Sequence, residues 1–201
     1  MREKIAVDLD DVLSASAEGF VAFSNEQWGT TLTAEEYSEE WAVVWGCSLE
    51  EAQRRSDLFH QSGAVDGYKH FPHAIPVLRA LAKRFDMSVV TSRQSLLQPK
   101  TDSWLDRHFT GIFQEIHYAG MWDTDDHVEH ALKQTKADVC QRIGANYLID
   151  DQLKHCIGVA ECGVKAILFG DYRWNRAVEL PPGVTRAATW DDVARYFDVE
   201  S

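Results

Sequence analysis

Three carboxylates, Asp8, Asp10 and Asp11, crowd the end of a stretch that otherwise reads as a buried strand, IAVDLDDVLSAS from Ile5 to Ser16. Like charges this close repel one another, and each costs desolvation energy. Either the chain enters water there, or a cation sits among the carboxylates. Side chains two residues apart on a strand share a face, so Asp8 and Asp10 point the same way. One can act as a nucleophile while the other moves protons. A second acidic pair, Asp150 and Asp151 in YLIDD, ends another apolar run, and Thr91, Ser92 and Arg93 end a third in VVTSR.

The elements that must carry these residues alternate between strand and helix. Short β-branched runs lie at Ile5–Leu9, Met87–Thr91, Ile112–Tyr118, Tyr147–Ile149 and Lys165–Phe169. Near-continuous apolar character, as in MSVVT and KAILF, suits strands covered on both faces and hence a parallel sheet with right-handed crossovers. Between them AIPVLRALAKRF, PKTDSWLDRHF, ADVCQRIG and DQLKHCIGVAECG follow a helical period, with Gly144 and Gly163 at the expected stops. The fold class is α/β with a doubly wound parallel sheet, and ligands of such sheets bind outside the carboxyl ends of the strands.

Residues 16–73 break the rhythm, holding helical patterns and no convincing strand. ASAEGFVAFSNEQW is followed by TAEEYSEEW, opening on a capping box at Thr33 and Glu36, and by SLEEAQRRSDLFHQ, opening on another at Ser48 and Glu51. A loop of that length without structure is unusual in a compact domain, so the segment is expected to be a small helical cap inserted after strand one. The core is then residues 1–15 and 74–201. The cap is rich in aromatic residues, including Phe20, Trp41, Trp45 and Phe59, which are expected to form its own core and to turn one or two rings toward a ligand.

A formal charge of -12 over 201 residues argues against a nucleic-acid polymer or an anionic membrane as partner. A small anionic substrate remains compatible, because a metal and one or two local cations can reverse the field inside a pocket. The N-terminus has only a short apolar run, so neither signal peptide nor anchor is expected. The scattered cysteines Cys47, Cys140, Cys156 and Cys162 form no CxxC and fit a reduced, cytoplasmic protein. His127 and His130 in DDHVEH lack further partners at metal-ligand spacing.

The chain order DxD in DLDDV, T-S in VVTSR, a lysine at Lys136 and DD in LIDD resembles the haloacid dehalogenase superfamily of aspartate-nucleophile phosphotransferases. The insertion falls where that superfamily places a cap of the first type. Within it the chain is most similar to the cytosolic-type 5'(3')-deoxyribonucleotidases, through GYKHF, AIPVLRAL, VVTSRQ, YLIDD and LFGDYRWN. The chemistry fits the residue types. Asp8 would attack the phosphorus of a phosphomonoester and carry an aspartyl phosphate, and Asp10 would protonate the leaving oxygen and then activate water. Asp8, the Asp10 carbonyl and Asp150 would form a hard oxygen site for Mg²⁺, with Asp151 binding through water or orienting the shell. Thr91 and Ser92 would hold a phosphoryl oxygen, the Ser92 amide lying at the start of a helix, Lys136 (preferred to Lys133) would neutralise charge on the transferred group, and Arg93 would meet a further group of the substrate or form a surface ion pair. Asp11 is expected only to end the strand.

The resemblance implies a Mg²⁺-dependent phosphatase of small phosphorylated substrates, with (deoxy)nucleoside monophosphates favoured. Alternatives are another small phosphomonoester, such as a sugar phosphate or coenzyme intermediate, and a non-catalytic phosphate-binding module. A dehalogenase is disfavoured by Asp10 and the terminal acidic pair. The sequence permits a homodimer. One departure bears on the base: where the nucleotidases carry a pocket aromatic in a stretch like DFE, this chain reads Ser14-Ala15-Ser16, so a base pocket would be built differently.

Overall fold

The computed structural model describes residues 2–121, 123, 134–176 and 179–200. Lys133, His127 and His130 lie outside the described residues. The sheet has six parallel strands: β1 (Lys4–Val7), β2 (Asp86–Thr91), β3 (Glu115–Tyr118), β4 (Tyr147–Asp150), β5 (Lys165–Phe169) and β6 (Val184–Ala187). Their order is β3-β2-β1-β4-β5-β6, so β1 is central and the direction of winding reverses there. Register sets Val7 beside Val89 on one side and Ile149 on the other. The continuing chain therefore brings Asp8 up between the ends of β2 and β4.

Five of the strands follow the expected apolar runs, with boundaries shifted by up to three residues at Ile112, which is buried in the turn before β3. The sixth was not anticipated. VTRA is a short edge strand with an exposed Thr185, and its apolar content is too small to stand out from the loop before it. The final helix, α8 (Trp190–Phe197), opens on a capping box between Thr189 and Asp192.

Alternation along the strands divides the core. Ile5, Val7, Val89 and Ile149 face α4 (Ala74–Ala82), α5 (Gln98–His108) and α8, whereas Ala6, Val90 and Leu148 face α6 (Lys136–Ile143) and α7 (Leu153–Glu161). Both faces are covered by helices and buried, which is what near-continuous apolar strands require.

The insertion contains α1 (Ser16–Trp28), α2 (Trp41–Val44) and α3 (Leu49–Gln61). The chain leaves and returns through paired backbone: Ala15 donates to the Lys69 carbonyl at 2.8 Å and Phe71 to that of Leu13 at 2.9 Å. The capping box at Thr33 and Glu36 forms, but it opens only a 3-10 turn over Ala34–Glu36, because Tyr37 is extended at ψ 139. At α3 the Ser48 hydroxyl accepts the Glu51 amide, while the Glu51 carboxylate turns to Arg54 and Arg55. Phe20 packs against Trp41, Trp45 and Phe59 with ring centroids 4.8, 5.2 and 5.7 Å away. This aromatic cluster is continuous with the core beneath β1, so the cap has no separate core of its own.

Candidate active site

Asp8, Asp10 and Asp11 follow β1 as the chain turns back on itself. Leu13 and Ser14 donate to the Leu9 carbonyl at 2.9 Å, and Asp11 adopts a left-handed φ of 56. Asp is one of the few non-glycine residues that tolerate this region. Its carboxylate accepts the Ser16 hydroxyl at 2.8 Å and the Ala17 amide at 3.1 Å. Asp11 thus does more than end the strand: it tethers the first turn of α1, and so the entrance to the cap. Burial pushes its carboxyl up to about 7.

Asp8 is 3% exposed and Asp150 fully buried, and the ammonium of Lys136 lies between them, 2.7 Å from Asp8 Oδ1 and 2.6 Å from Asp150 Oδ2. Lys136 reaches this position as the first residue of α6, whose N-terminus Thr135 and Asp138 close in a reciprocal capping box. Burial alone would lower its pKa, but Asp150 and Asp8 raise it, so the ammonium stays charged. Asp8 is pushed up to about 8 by burial, helped by Asp150 and Asp10 and opposed by Lys136. Asp151 is raised by burial and by the Asp150 and Asp8 carboxylates.

Oxygens of Asp8, Asp150 and Asp151 lie within 4.8 Å of one another, all buried. A single buried ammonium cannot balance three carboxylates. Hard oxygen donors at this separation suit Mg²⁺, so the residues fit the ion that the carboxylate crowding suggested. Asp10 stands apart from that group. Arg93 grips it with Nη2 2.6 Å from Oδ1 and Nε 2.9 Å from Oδ2. Burial would raise the Asp10 carboxyl, but the Arg93 guanidinium outweighs it and holds the group below the usual carboxylate range. Arg93 also donates to Thr101 Oγ1 at 3.2 Å and lies 5.4 Å from the centre of the Tyr68 ring. Its fork meets Asp10 on the cavity floor.

These groups form the floor of a cavity of about 610 Å³ between core and cap. Asp8, Asp10, Asp151, Lys136 and Ser92 line it below, and Phe20, Tyr37, Trp41, Phe59 and Tyr68 line it above. Asp150 and Thr91 are fully buried beneath that floor. The Thr91 hydroxyl oxygen accepts the Arg93 amide at 3.1 Å, which shapes the turn. That turn runs through a 3-10 segment, Ser95–Leu97, before α5 starts, so Ser92 lies in a loop ahead of the helix and not at its N-terminus. Trp45 is buried away from the cavity, its indole N–H donating to Ser24 Oγ at 3.0 Å.

Several residues here carried no recognisable signal. Asp123 accepts the Ser95 amide at 2.8 Å and its hydroxyl at 2.5 Å, fixing the turn after β2. Tyr68 packs where Gly19 of α1 leaves room; a Cβ there would overlap its ring. His155 lines the cavity from α7, and burial pushes its imidazole down to about 4. These roles depend on packing between segments distant in the chain.

A central strand ending in Asp-x-Asp, a second acidic pair on the adjacent strand end, a buried lysine between them and a helical cap above define a haloacid-dehalogenase-like hydrolase. The chain belongs to the cytosolic type C 5'-nucleotidase family: the model described as 5' nucleotidase, deoxy (pyrimidine), cytosolic type C protein matches residues 2–199. It is thus a phosphatase of the haloacid dehalogenase type, resembling the 5'-nucleotidases. Its fold is similar to that of a haloacid dehalogenase-like hydrolase from Streptococcus pneumoniae, at a TM-score of 0.73 and 16% identity over 98% of each chain. Protein tyrosine kinase A of Mycobacterium tuberculosis matches at 0.69 and 20% identity over 97% of each chain. The hydrolase YfnB of Bacillus subtilis, in a form bound to magnesium, matches at 0.65 and 17% identity over 98% of this chain and 99% of that one. No curated protein matches the sequence.

Proposed function

We propose that the protein is a Mg²⁺-dependent phosphatase of (deoxy)nucleoside 5'-monophosphates that works through an aspartyl phosphate on Asp8. The observation that carries this reading is the Lys136 ammonium held between Asp8 and Asp150, at 2.7 and 2.6 Å, on the floor of a capped cavity. Asp8, Asp150, the Asp10 carbonyl and Asp151 would hold Mg²⁺, which when bound offsets the repulsion between carboxylate and phosphate and orients the phosphoryl oxygens.

An Asp8 oxygen forms a bond to phosphorus as the ester P–O bond breaks, and Asp10 delivers a proton to the departing oxygen. Asp10 then takes a proton from water, which attacks the phosphorus; the Asp8–phosphorus bond breaks, and inorganic phosphate leaves with Asp8 restored. Arg93 favours the ionised Asp10 that the second half needs. Lys136 neutralises charge on the transferred group and opposes the rise that burial imposes on the Asp8 carboxyl.

Aromatic walls support a flat, unsaturated leaving group. Ser14 and Ser16 cannot stack on a base: Ser14 Oγ donates to the Leu9 carbonyl at 3.1 Å, and Ser16 holds Asp11. Phe20, one turn into α1, brings an aromatic ring to the cavity instead. All four cysteines are free, which supports a reducing cytoplasmic location, and among the described residues no helix is long and apolar enough to cross a membrane.

Phosphate release from a panel of nucleoside monophosphates and sugar phosphates, with and without Mg²⁺, tests the reading. Preference for deoxypyrimidine monophosphates is expected, with silence in Asp8→Asn. A preferred sugar phosphate would refute the substrate, and turnover by Asp8→Asn would refute the mechanism.

A further inference from the structure

The loop after β5, GDYRWN, takes no part in the chemistry above, yet it touches both the acidic cluster and the cap. Trp174 donates its indole N–H to Asp151 Oδ2 at 2.6 Å, and Gln152 donates to the same oxygen at 3.0 Å. The indole is held flat against the Tyr172 ring, with centroids 4.6 Å apart and planes 6° from parallel. Tyr172 is anchored in turn, its hydroxyl donating to the Asp11 carbonyl at 2.7 Å. Gly170, at φ +83, permits this arrangement, since a Cβ there would overlap the Tyr172 ring. Asn175 completes the brace by donating to the carbonyls of Asp151 and Phe169 at 3.0 and 2.8 Å.

On its other side Trp174 meets the cap. Tyr37 packs edge-on against it with centroids 5.5 Å apart, and the same ring meets Phe20 at 5.3 Å. Arg173 donates to the Glu35 carbonyl at 3.4 Å beside this contact. An indole clamped between a core tyrosine and a cap tyrosine has little freedom to rotate. Its N–H therefore fixes which way the Asp151 carboxylate faces, and with both donors on Oδ2 the other oxygen is left for the cavity.

We propose that Trp174 is a positioning residue for Asp151, and that Tyr37 couples its seating to the cap. Hydrogen-bond partners behind a metal's ligands fix their orientation, and their loss costs metal affinity typically 10–100-fold. The inference rests on the metal reading of the carboxylate cluster, but not on any substrate.

The test is calorimetric titration of the full chain with MgCl₂ in the absence of substrate. Trp174→Phe keeps the ring against Tyr172 and removes the N–H; its Kd for Mg²⁺ should rise about 10–100-fold. Trp174→His, which retains a ring N–H, should recover part of that loss. Tyr37→Leu should weaken Mg²⁺ binding in the same direction by a smaller factor. Trp45→Phe also removes an indole N–H, but one that meets Ser24 in the cap, so its Kd should match the wild type.

An unchanged Kd in Trp174→Phe overturns the positioning role, and an unchanged Kd in Tyr37→Leu overturns the link to the cap. If circular dichroism shows Trp174→Phe unfolded, Trp174→Leu, which likewise lacks the N–H, is judged by the same criterion, and Tyr37→Leu by its own. Wild-type protein that binds no Mg²⁺ overturns both this inference and the metal reading beneath it. Mg²⁺ binding that depends on Trp174, in a protein inert to nucleotides, supports this inference and refutes the substrate alone.

Discussion

Arg93 and Asp10, 83 positions apart, meet through two hydrogen bonds of 2.6 and 2.9 Å, with Arg93 in turn held by Thr101. A planar guanidinium matched to a carboxylate in this way fixes orientation as well as charge. Asp10 must present one oxygen to the leaving group and later to water, so its direction matters as much as its proton. Arg93→Met should lower kcat by about 10²-fold, within the range general acid–base catalysis supplies. The loss should appear on p-nitrophenyl phosphate as well as on a nucleotide, because both pass through the same hydrolysis half, in which the ionised Asp10 takes a proton from water. A loss confined to the nucleotide would detach Arg93 from the base role of Asp10.

Asp8→Asn removes the nucleophile while leaving Lys136 its bond to Asp150 at 2.6 Å, so the fold should survive. Turnover should fall by at least about 10³-fold, and rapid acid quenching should trap labelled phosphate on the wild type and none on the variant. Label retained by the variant would place the covalent intermediate elsewhere.

Mg²⁺ should stabilise the resting protein, since it binds only where folding has gathered Asp8, Asp150 and Asp151. At a free concentration near 100 Kd the gain is about 2.7 kcal/mol, which for a chain of this size is about 5–10 °C in Tm. EDTA should reverse the shift and abolish activity together. Full activity in EDTA would assign the carboxylates another purpose.

Trp41 and Trp45 should separate cleanly. Trp41 lines the cavity, and Trp41→Ala should raise KM for nucleotides more than for p-nitrophenyl phosphate. Trp45 is 7% exposed and packs within the cap, so Trp45→Ala should cost about 3–5 kcal/mol of stability and affect both substrates alike. The reverse pattern would mean that Trp45, not Trp41, meets the base.

His155 gives the protein an acid sensitivity that can be isolated. Burial lowers its pKa from 6.5 to about 4, so the unfolded chain binds the proton more readily than the folded one. The associated stability is present above pH 6.5 and is lost as pH falls toward 4. Urea unfolding across that window should show wild type losing roughly 2–3 kcal/mol more than His155→Gln. Parallel curves would mean that His155 is solvated.

Much of this site was legible in the chain. The DxD and DD pairs announced themselves because carboxylates at the ends of apolar strands are costly without a purpose, and Lys136 was found by its place before the DD strand. Arg93 is visible in VVTSR, but the motif says nothing about which carboxylate its fork meets. Thr91 was expected on the pocket wall, yet its side chain folds under to take the Arg93 amide. The TAEEYSEEW helix shrank to one turn, because Tyr37 turns out to meet Phe20 and Trp174.

The sequence by itself determined the alternation of strands and helices, the helical insertion after strand one and which residues are candidates for the reactive groups. All of these are local: periodicity, caps and acidic strand ends are written within a few residues of where they act. Tertiary structure alone decided that β1 is central, that Lys136 lies between Asp8 and Asp150, and that Trp174 reaches Asp151. Those contacts join segments far apart in the chain. Their geometry follows from strand order, register and the packing of side chains against one another, which no local pattern records.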